Sequence, residues 1–312
     1  MKNRFFILAI GLVAIIAAVY ALRAALTRGG AGAGANPAVS GKMAVVGTFY
    51  PLSHFAEQVG GSLVAVSNIT PAGAEPHDYE PTPQDIAKVY GAKVFIVNGG
   101  GLDAWAEKIA PDLKARGVTV VDMQDAMALD QAPGSETAHD PHLWLDPALA
   151  AREVGLIRDA FVKADPANAG AYAGNAAKYV AALTRLDEEY KAGLASCRIK
   201  DIVTSHAAFG YLAKQYGLTQ IAIAGLSPDA EPSVQQLADI ARLAKQDNVK
   251  YIFFESLVSP KLAQTIAAEV GAQTLAFNPL EGLTAAQISS GETYLTVMRE
   301  NLDKLRLALD CQ

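Results

Sequence analysis

The sequence predicts an α/β protein with two lobes. Each lobe holds a four-stranded parallel sheet flanked by helices, and one long rigid helix joins them. Three observations carry this. Short apolar segments alternate with longer stretches of helical periodicity, the pattern of parallel strands linked by crossover helices. The segments fall into two groups of four. Between the groups, residues 167–196 contain no proline, and Leu183, Leu186 and Tyr190 repeat there at helical spacing beside Arg185, Asp187, Glu188 and Glu189.

The chain opens with Lys2 and Arg4 ahead of an uncharged run, Phe5–Leu22, and Arg23 and Arg28 follow it. A basic start and an apolar run form an export segment at 1–28. Whether it is cleaved near Ala21–Ala25 or kept as a membrane anchor is left open, and both outcomes carry the remaining chain across the membrane. Residues 29–41 are rich in Gly and Ala and form a flexible tether reaching about 20 Å. The first lobe is expected over 42–165, the linking helix over 166–196 and the second lobe over 197–312.

In the first lobe the expected strands are 44–48, 63–69, 94–97 and 118–122, with helices over 84–90 and 104–113. In the second the strands are 202–205, 220–224, 251–255 and 274–277, with helices over 234–245 and 261–270. Thr82-Pro83, Asp146-Pro147 and Ser259-Pro260 each place a capping side chain before a proline suited to the first helical position. Ser233 and Gln236 have capping-box spacing. Asn98-Gly-Gly-Gly101 lacks the motifs of phosphate loops and is expected to be a tight strand-to-helix turn. A net charge of −6 with mixed signs gives no basic face for nucleic acid. There are two cysteines. In an exported protein they are expected to pair, Cys197 at the start of the second lobe with Cys311 beyond the last helix.

Of five histidines, three lie in turn-rich loops: His77 in Glu-Pro-His-Asp, His142 in Asp-Pro-His-Leu-Trp-Leu-Asp-Pro, and His206 in Thr-Ser-His-Ala. The loop Asn278-Pro-Leu-Glu281 adds a carboxylate. Three imidazoles and a carboxylate make a closed tetrahedral set for Zn²⁺. Pro76 and Pro141 stiffen the backbone before two of the histidines. Ligands of open α/β sheets gather beyond the carboxyl ends of strands, where these loops lie. His139 is read as a solvated loop residue and His54 as a structural or surface one. Mn²⁺ favours a larger carboxylate share, so the donor set points to zinc over manganese. Only neutral imidazole binds metal, so binding is expected to strengthen as pH rises from about 5 to 7.

The segments 45–83, 140–147, 204–211 and 253–283 resemble the zinc- and manganese-specific solute-binding proteins of bacterial ABC transporters. The resemblance implies a metal held in the cleft between the lobes by His77, His142 and His206. Many zinc members carry an aspartate where this chain has Asn278, whereas a second subgroup uses the glutamate. The fourth ligand is therefore expected to be Glu281, with Asn278 or water as fallback. The resemblance also implies a monomer working with an ABC permease and its ATPase, in the periplasm or at the outer face of the cell membrane. Residues 126–138 are short and carry no histidine, unlike the His-rich loop of many zinc members. A zinc hydrolase using Glu281 or Glu255 as base, and a surface adhesin on the same scaffold, are the competing functions.

Overall fold

A computed structural model describes residues 41–127 and 140–312. The export segment, nearly all of the tether, and His139 with most of its loop lie outside the described residues. Met43–Gln312 forms one compact unit. Among the described residues no helix is long and apolar enough to cross a membrane.

The first sheet contains β1 (Met43–Gly47), β2 (Val64–Asn68), β3 (Val94–Val97) and β4 (Thr119–Asp122), ordered β2-β1-β3-β4 with every pair parallel. The second contains β5 (Asp201–Thr204), β6 (Thr219–Ala222), β7 (Tyr251–Phe254) and β8 (Gln273–Ala276), in the corresponding order β6-β5-β7-β8, again all parallel. Several strands are shorter than their apolar runs. The backbone pairing nevertheless continues past their ends: Ile69 N–H donates to Gly47, Ile223 N–H to Thr204 and Phe277 N–H to Phe254. These extensions lead the chain into the loops that bear the candidate ligands.

The helices of the first lobe are α1 (Tyr50–Gly60), α2 (Pro83–Tyr90), α3 (Ala104–Ala115), α4 (Met123–Met127) and α5 (Pro147–Ala164). The linking helix, α6, spans Ala169–Leu194 after a 3₁₀ turn at Pro166–Asn168. Its buried face, Tyr172, Ala176, Tyr179, Leu183, Leu186, Tyr190 and Leu194, repeats at three- and four-residue steps. At 1.5 Å per residue it is roughly 39 Å long. The second lobe has α7 (Gly210–Gln215), α8 (Val234–Gln246), α9 (Lys261–Val270), α10 (Ala285–Ser289) and α11 (Tyr294–Ala308).

The expected caps at Thr82, Asp146 and Ser233 are present as side-chain bonds to the first-turn amides. Ser259 does not cap. Helix α9 begins at Lys261 with Pro260 in the cap position and no side-chain bond. Asn98–Gly101 is the expected turn, with all three glycines at positive φ. Asp103 holds it by accepting the Asn98 and Gly99 amides. A β-carbon at Gly99 would stand 2.5 Å from Asp122 Oδ1, so the turn requires glycine there.

Smaller clusters sit on the outer faces of the sheets, around Val89, Phe95 and Leu113 in the first lobe and Val203, Ile252 and Ile266 in the second. The main core is continuous across both lobes, from Val45, Phe49 and Phe55 through Tyr179 and Leu186 to Phe277 and Leu305. Cys197 and Cys311 form a disulfide across 114 residues. His54 is structural. It is buried in α1, its Nε2 lies 3.1 Å from the Tyr179 hydroxyl, and burial pushes its pKa down to about 4.

Candidate metal centre

Four loops meet between the lobes, and each is fixed by a different local device. The His77 loop leaves β2 and ends at the capping box of Thr82 and Asp85. Within it, Glu75 Oε1 accepts the His77 amide at 3.3 Å. The His142 loop is held by two side-chain donors: Asn98 Nδ2 reaches the Pro141 carbonyl at 3.0 Å and Gln124 Nε2 the Asp140 carbonyl at 2.7 Å. Asp140 Oδ1 then accepts the His142 amide at 3.0 Å. A 3₁₀ turn, Leu143–Leu145, follows, and Asp146 caps α5.

His206 lies two residues beyond β5. Thr204 Oγ1 and Gln220 Nε2 both donate to its carbonyl, at 2.8 and 3.0 Å. Glu281 sits on a turn after β8 in which Leu280 has a φ of 56°. Left-handed backbone is uncommon for a branched residue and needs support. Asn278 Oδ1 supplies it by accepting the Leu280 amide at 2.7 Å. Asn301 on α11 in turn grips Asn278, accepting its amide at 3.1 Å and donating to its carbonyl at 2.6 Å.

The loops bring His77, His142, His206 and Glu281 together, with one donor atom from each lying within 4.8 Å of all the others. Glu281 Oε1 is 3.1 Å from His206 Nε2 and 3.4 Å from Nε2 of both His77 and His142. His142 Nε2 and His206 Nε2 are 3.2 Å apart. His142, His206 and Glu281 are buried, and the His77 side chain is 8% exposed. His77 Nε2 and Glu281 Oε2 are buried without a hydrogen-bond partner. Such orphaned polar atoms are costly unless something else binds there.

Two carboxylates orient the imidazoles from behind. Asp140 Oδ1 is 2.8 Å from His142 Nδ1, and Glu255 Oε1 is 2.8 Å from His206 Nδ1. Each places the proton on Nδ1 and leaves Nε2 facing the cluster as a lone pair, the arrangement by which carboxylates fix metal-binding histidines. Among the described residues, Glu255 and Asp140 are the parts of the site that the ligand pattern alone does not reveal. Asp140 has a signal, its place two residues before His142, whereas Glu255 lies 49 residues from His206.

Burial works against a charged His206, but Glu281 and Glu255 outweigh it and raise its pKa. Burial likewise opposes a charged His142, and Asp140 and Glu281 raise its pKa overall. Burial alone would raise Glu281, yet the charge of His206 and hydrogen bonds from His142 and His206 hold it well below the usual carboxylate range. Burial and the neighbouring Glu281 push Glu75 up to about 9. The centre therefore favours positive charge on His206 and His142, the place a cation would take.

Comparison with known proteins agrees with this geometry. The family described as "Zinc-uptake complex component A periplasmic" matches residues 45–308. The high-affinity zinc uptake system protein ZnuA of Bacillus subtilis is 40% identical over 282 residues, covering 86% of this chain and 88% of that protein. The zinc-binding protein AdcA of Streptococcus pyogenes is also 40% identical, over 291 residues. The match takes in 86% of this chain and 56% of AdcA, so the chain spans little more than half the length of that relative. The crystal structure of Zn(II)-bound AdcA from Streptococcus pneumoniae superposes with a TM-score of 0.76 at 39% identity, covering 87% of this chain and 59% of that one. The chain thus belongs to the family of periplasmic A components of zinc-uptake complexes.

Proposed function

We propose that this chain captures Zn²⁺ outside the cytoplasmic membrane and delivers it to an ABC-type import permease and its ATPase, with His77, His142, His206 and Glu281 as the ligands. One observation carries the reading. The His142 and His206 Nε2 atoms face each other at 3.2 Å while a carboxylate occupies each Nδ1. Two lone pairs in that position repel unless a proton or a cation lies between them. Three imidazoles and a carboxylate suit tetrahedral Zn²⁺, and Mn²⁺ would call for more oxygen. The zinc named for the relatives supports the same cargo.

Glu281 is the fourth ligand in this reading. Its Oε1 lies among the three imidazoles, whereas the Asn278 carboxamide oxygen serves the Leu280 amide. Four protein donors complete a tetrahedron and leave no position for a reacting water, which favours binding over hydrolysis. Glu255, the other candidate base, is bonded to His206. The chain works as a monomer with lobes at 42–165 and 197–312 around a linking helix at 166–196, held at the outer face of the membrane or free beside it.

Calorimetry on the full chain tests the assignment. One Zn²⁺ per chain is expected, with severe loss of affinity in His77→Ala, His142→Ala and His206→Ala. Unchanged affinity in any of the three removes that histidine from the set. Loss in Asn278→Ala with none in Glu281→Ala moves the fourth ligand to Asn278. Zinc-limited growth of a deletion strain tests delivery, and unimpaired growth would argue against a role in uptake.

A further inference from the structure

His142 and Glu281 belong to opposite lobes, and a single indole joins the turns that carry them. Trp144 lies two residues after His142 and is fully buried. Its Nε1–H donates to the Pro279 carbonyl at 2.8 Å, two residues before Glu281. The indole packs against Phe49 at 4.7 Å between centroids and against the His142 ring at 5.3 Å.

Helix α11 secures both sides of this junction. Tyr294 donates its hydroxyl to the Trp144 carbonyl at 2.5 Å. Asn301, two turns along the same helix, clamps Asn278 and so fixes the turn leading to Pro279. An indole N–H is a donor only, and a buried donor without an acceptor carries a full desolvation penalty. Separation of the lobes at this seam breaks the bond between the Trp144 N–H and the Pro279 carbonyl, and water must reach both groups before the loss is offset.

We propose that Trp144 is a positioning residue that latches the His142 turn to the Glu281 turn and thereby sets how slowly bound cation leaves. The inference rests on the zinc-binding reading above. Trp144→Phe is the direct probe, since it keeps an aromatic ring but removes the donor. Tyr294→Phe probes the other end by releasing the Trp144 carbonyl. A control comes from Tyr190→Phe, which removes a buried hydrogen bond of the same kind, to the Met298 carbonyl at 2.7 Å, away from the ligand turns.

The experiment loads the full chain with Zn²⁺ and follows its release into excess chelator by stopped flow, beside thermal melts of the same proteins. Losing one buried hydrogen bond at the seam is expected to speed release about three- to tenfold in Trp144→Phe, in the same direction in Tyr294→Phe, and not in Tyr190→Phe. Stoichiometry stays at one. The proposal is overturned if Trp144→Phe and Tyr294→Phe lower the melting temperature as Tyr190→Phe does while releasing zinc at the parent rate. Should Trp144→Phe fail to fold, parent-like release from Tyr294→Phe counts against the latch. If the parent chain takes up no zinc, the functional reading falls first and the latch with it.

Discussion

Gly210, at the start of α7 in the second lobe, lies directly beneath the carboxylate of Asp140 from the first. A β-carbon at Gly210 would stand 2.7 Å from Asp140 Oδ2. The other oxygen of that carboxylate orients His142. The absent side chain is therefore what allows an acid of one lobe to reach into the other while bonded to His142. Gly210→Ala should displace Asp140 and weaken zinc binding about tenfold, the low end for losing an orienting partner. Calorimetry against the parent chain measures it. Unchanged affinity would mean that Asp140 has room to move without taking His142 along.

Removing the orienting acids themselves should act without touching a donor atom. Glu255→Gln and Asp140→Asn keep the side-chain shape but lose the charge that holds the proton on Nδ1. Each is expected to cost about 10- to 100-fold in zinc affinity. One Zn²⁺ should still bind, and the tetrahedral d–d bands of a Co²⁺ derivative should survive, whereas His206→Ala should abolish them. Parent-like affinity in both variants would reduce these carboxylates to bystanders.

Zinc binding should strengthen with pH, over a wider range than free imidazole suggests. Against the cost of burial, Asp140 and Glu281 raise the pKa of His142, and Glu281 and Glu255 raise that of His206. At neutral pH His206, raised to about 10, still holds a proton that zinc must displace. Raising the pH removes the competing protons, so affinity climbs between pH 5 and 7 and keeps climbing above 7, where an unperturbed histidine with a pKa of about 6.5 has largely finished titrating. Calorimetry in buffers of different ionisation enthalpy should also show proton release at pH 7. An affinity that levels off by pH 7 would contradict the upward shifts.

Opening the disulfide should affect stability and leave metal binding alone. Cys197 and Cys311 close a loop of 114 residues, for which the chain-entropy account gives about 4–5 kcal/mol as an upper guide. The double variant Cys197→Ser, Cys311→Ser should melt at lower temperature or lower denaturant concentration. Its zinc affinity at 25 °C should match the parent. A matching melt would show that the C-terminal backbone bonds, such as Ile199 N–H to the Leu309 carbonyl, suffice without the bond.

Much of this architecture was legible because it follows local rules. The apolar runs mark the strands, and the spacing of Leu183, Leu186 and Tyr190 marks the inner face of α6. The histidine loops stand out through their prolines and the caps that follow them. Ser259 fails as a cap because Pro260 already occupies that position and the helix starts one residue later than a proline at its first turn would require. Thr284 and Gln287 also have capping-box spacing and form one at the start of α10. What was not legible is set by tertiary contact. Glu255 meets His206 across 49 residues and Trp144 meets Pro279 across 135. No local pattern specifies such pairs.

The core that runs unbroken from one sheet to the other has a consequence for folding. Phe55 of α1 packs edge-on against Tyr294 of α11, with centroids 5.0 Å apart, so the last helix completes the interior of the first lobe. Neither half can bury its apolar surface alone, and a chain cut near residue 165 should not yield two autonomous folded pieces. A chain emerging beyond the membrane would hold the first lobe incomplete until residues 294–308 arrive. Unfolding should accordingly be one cooperative transition in which both sheets are lost together.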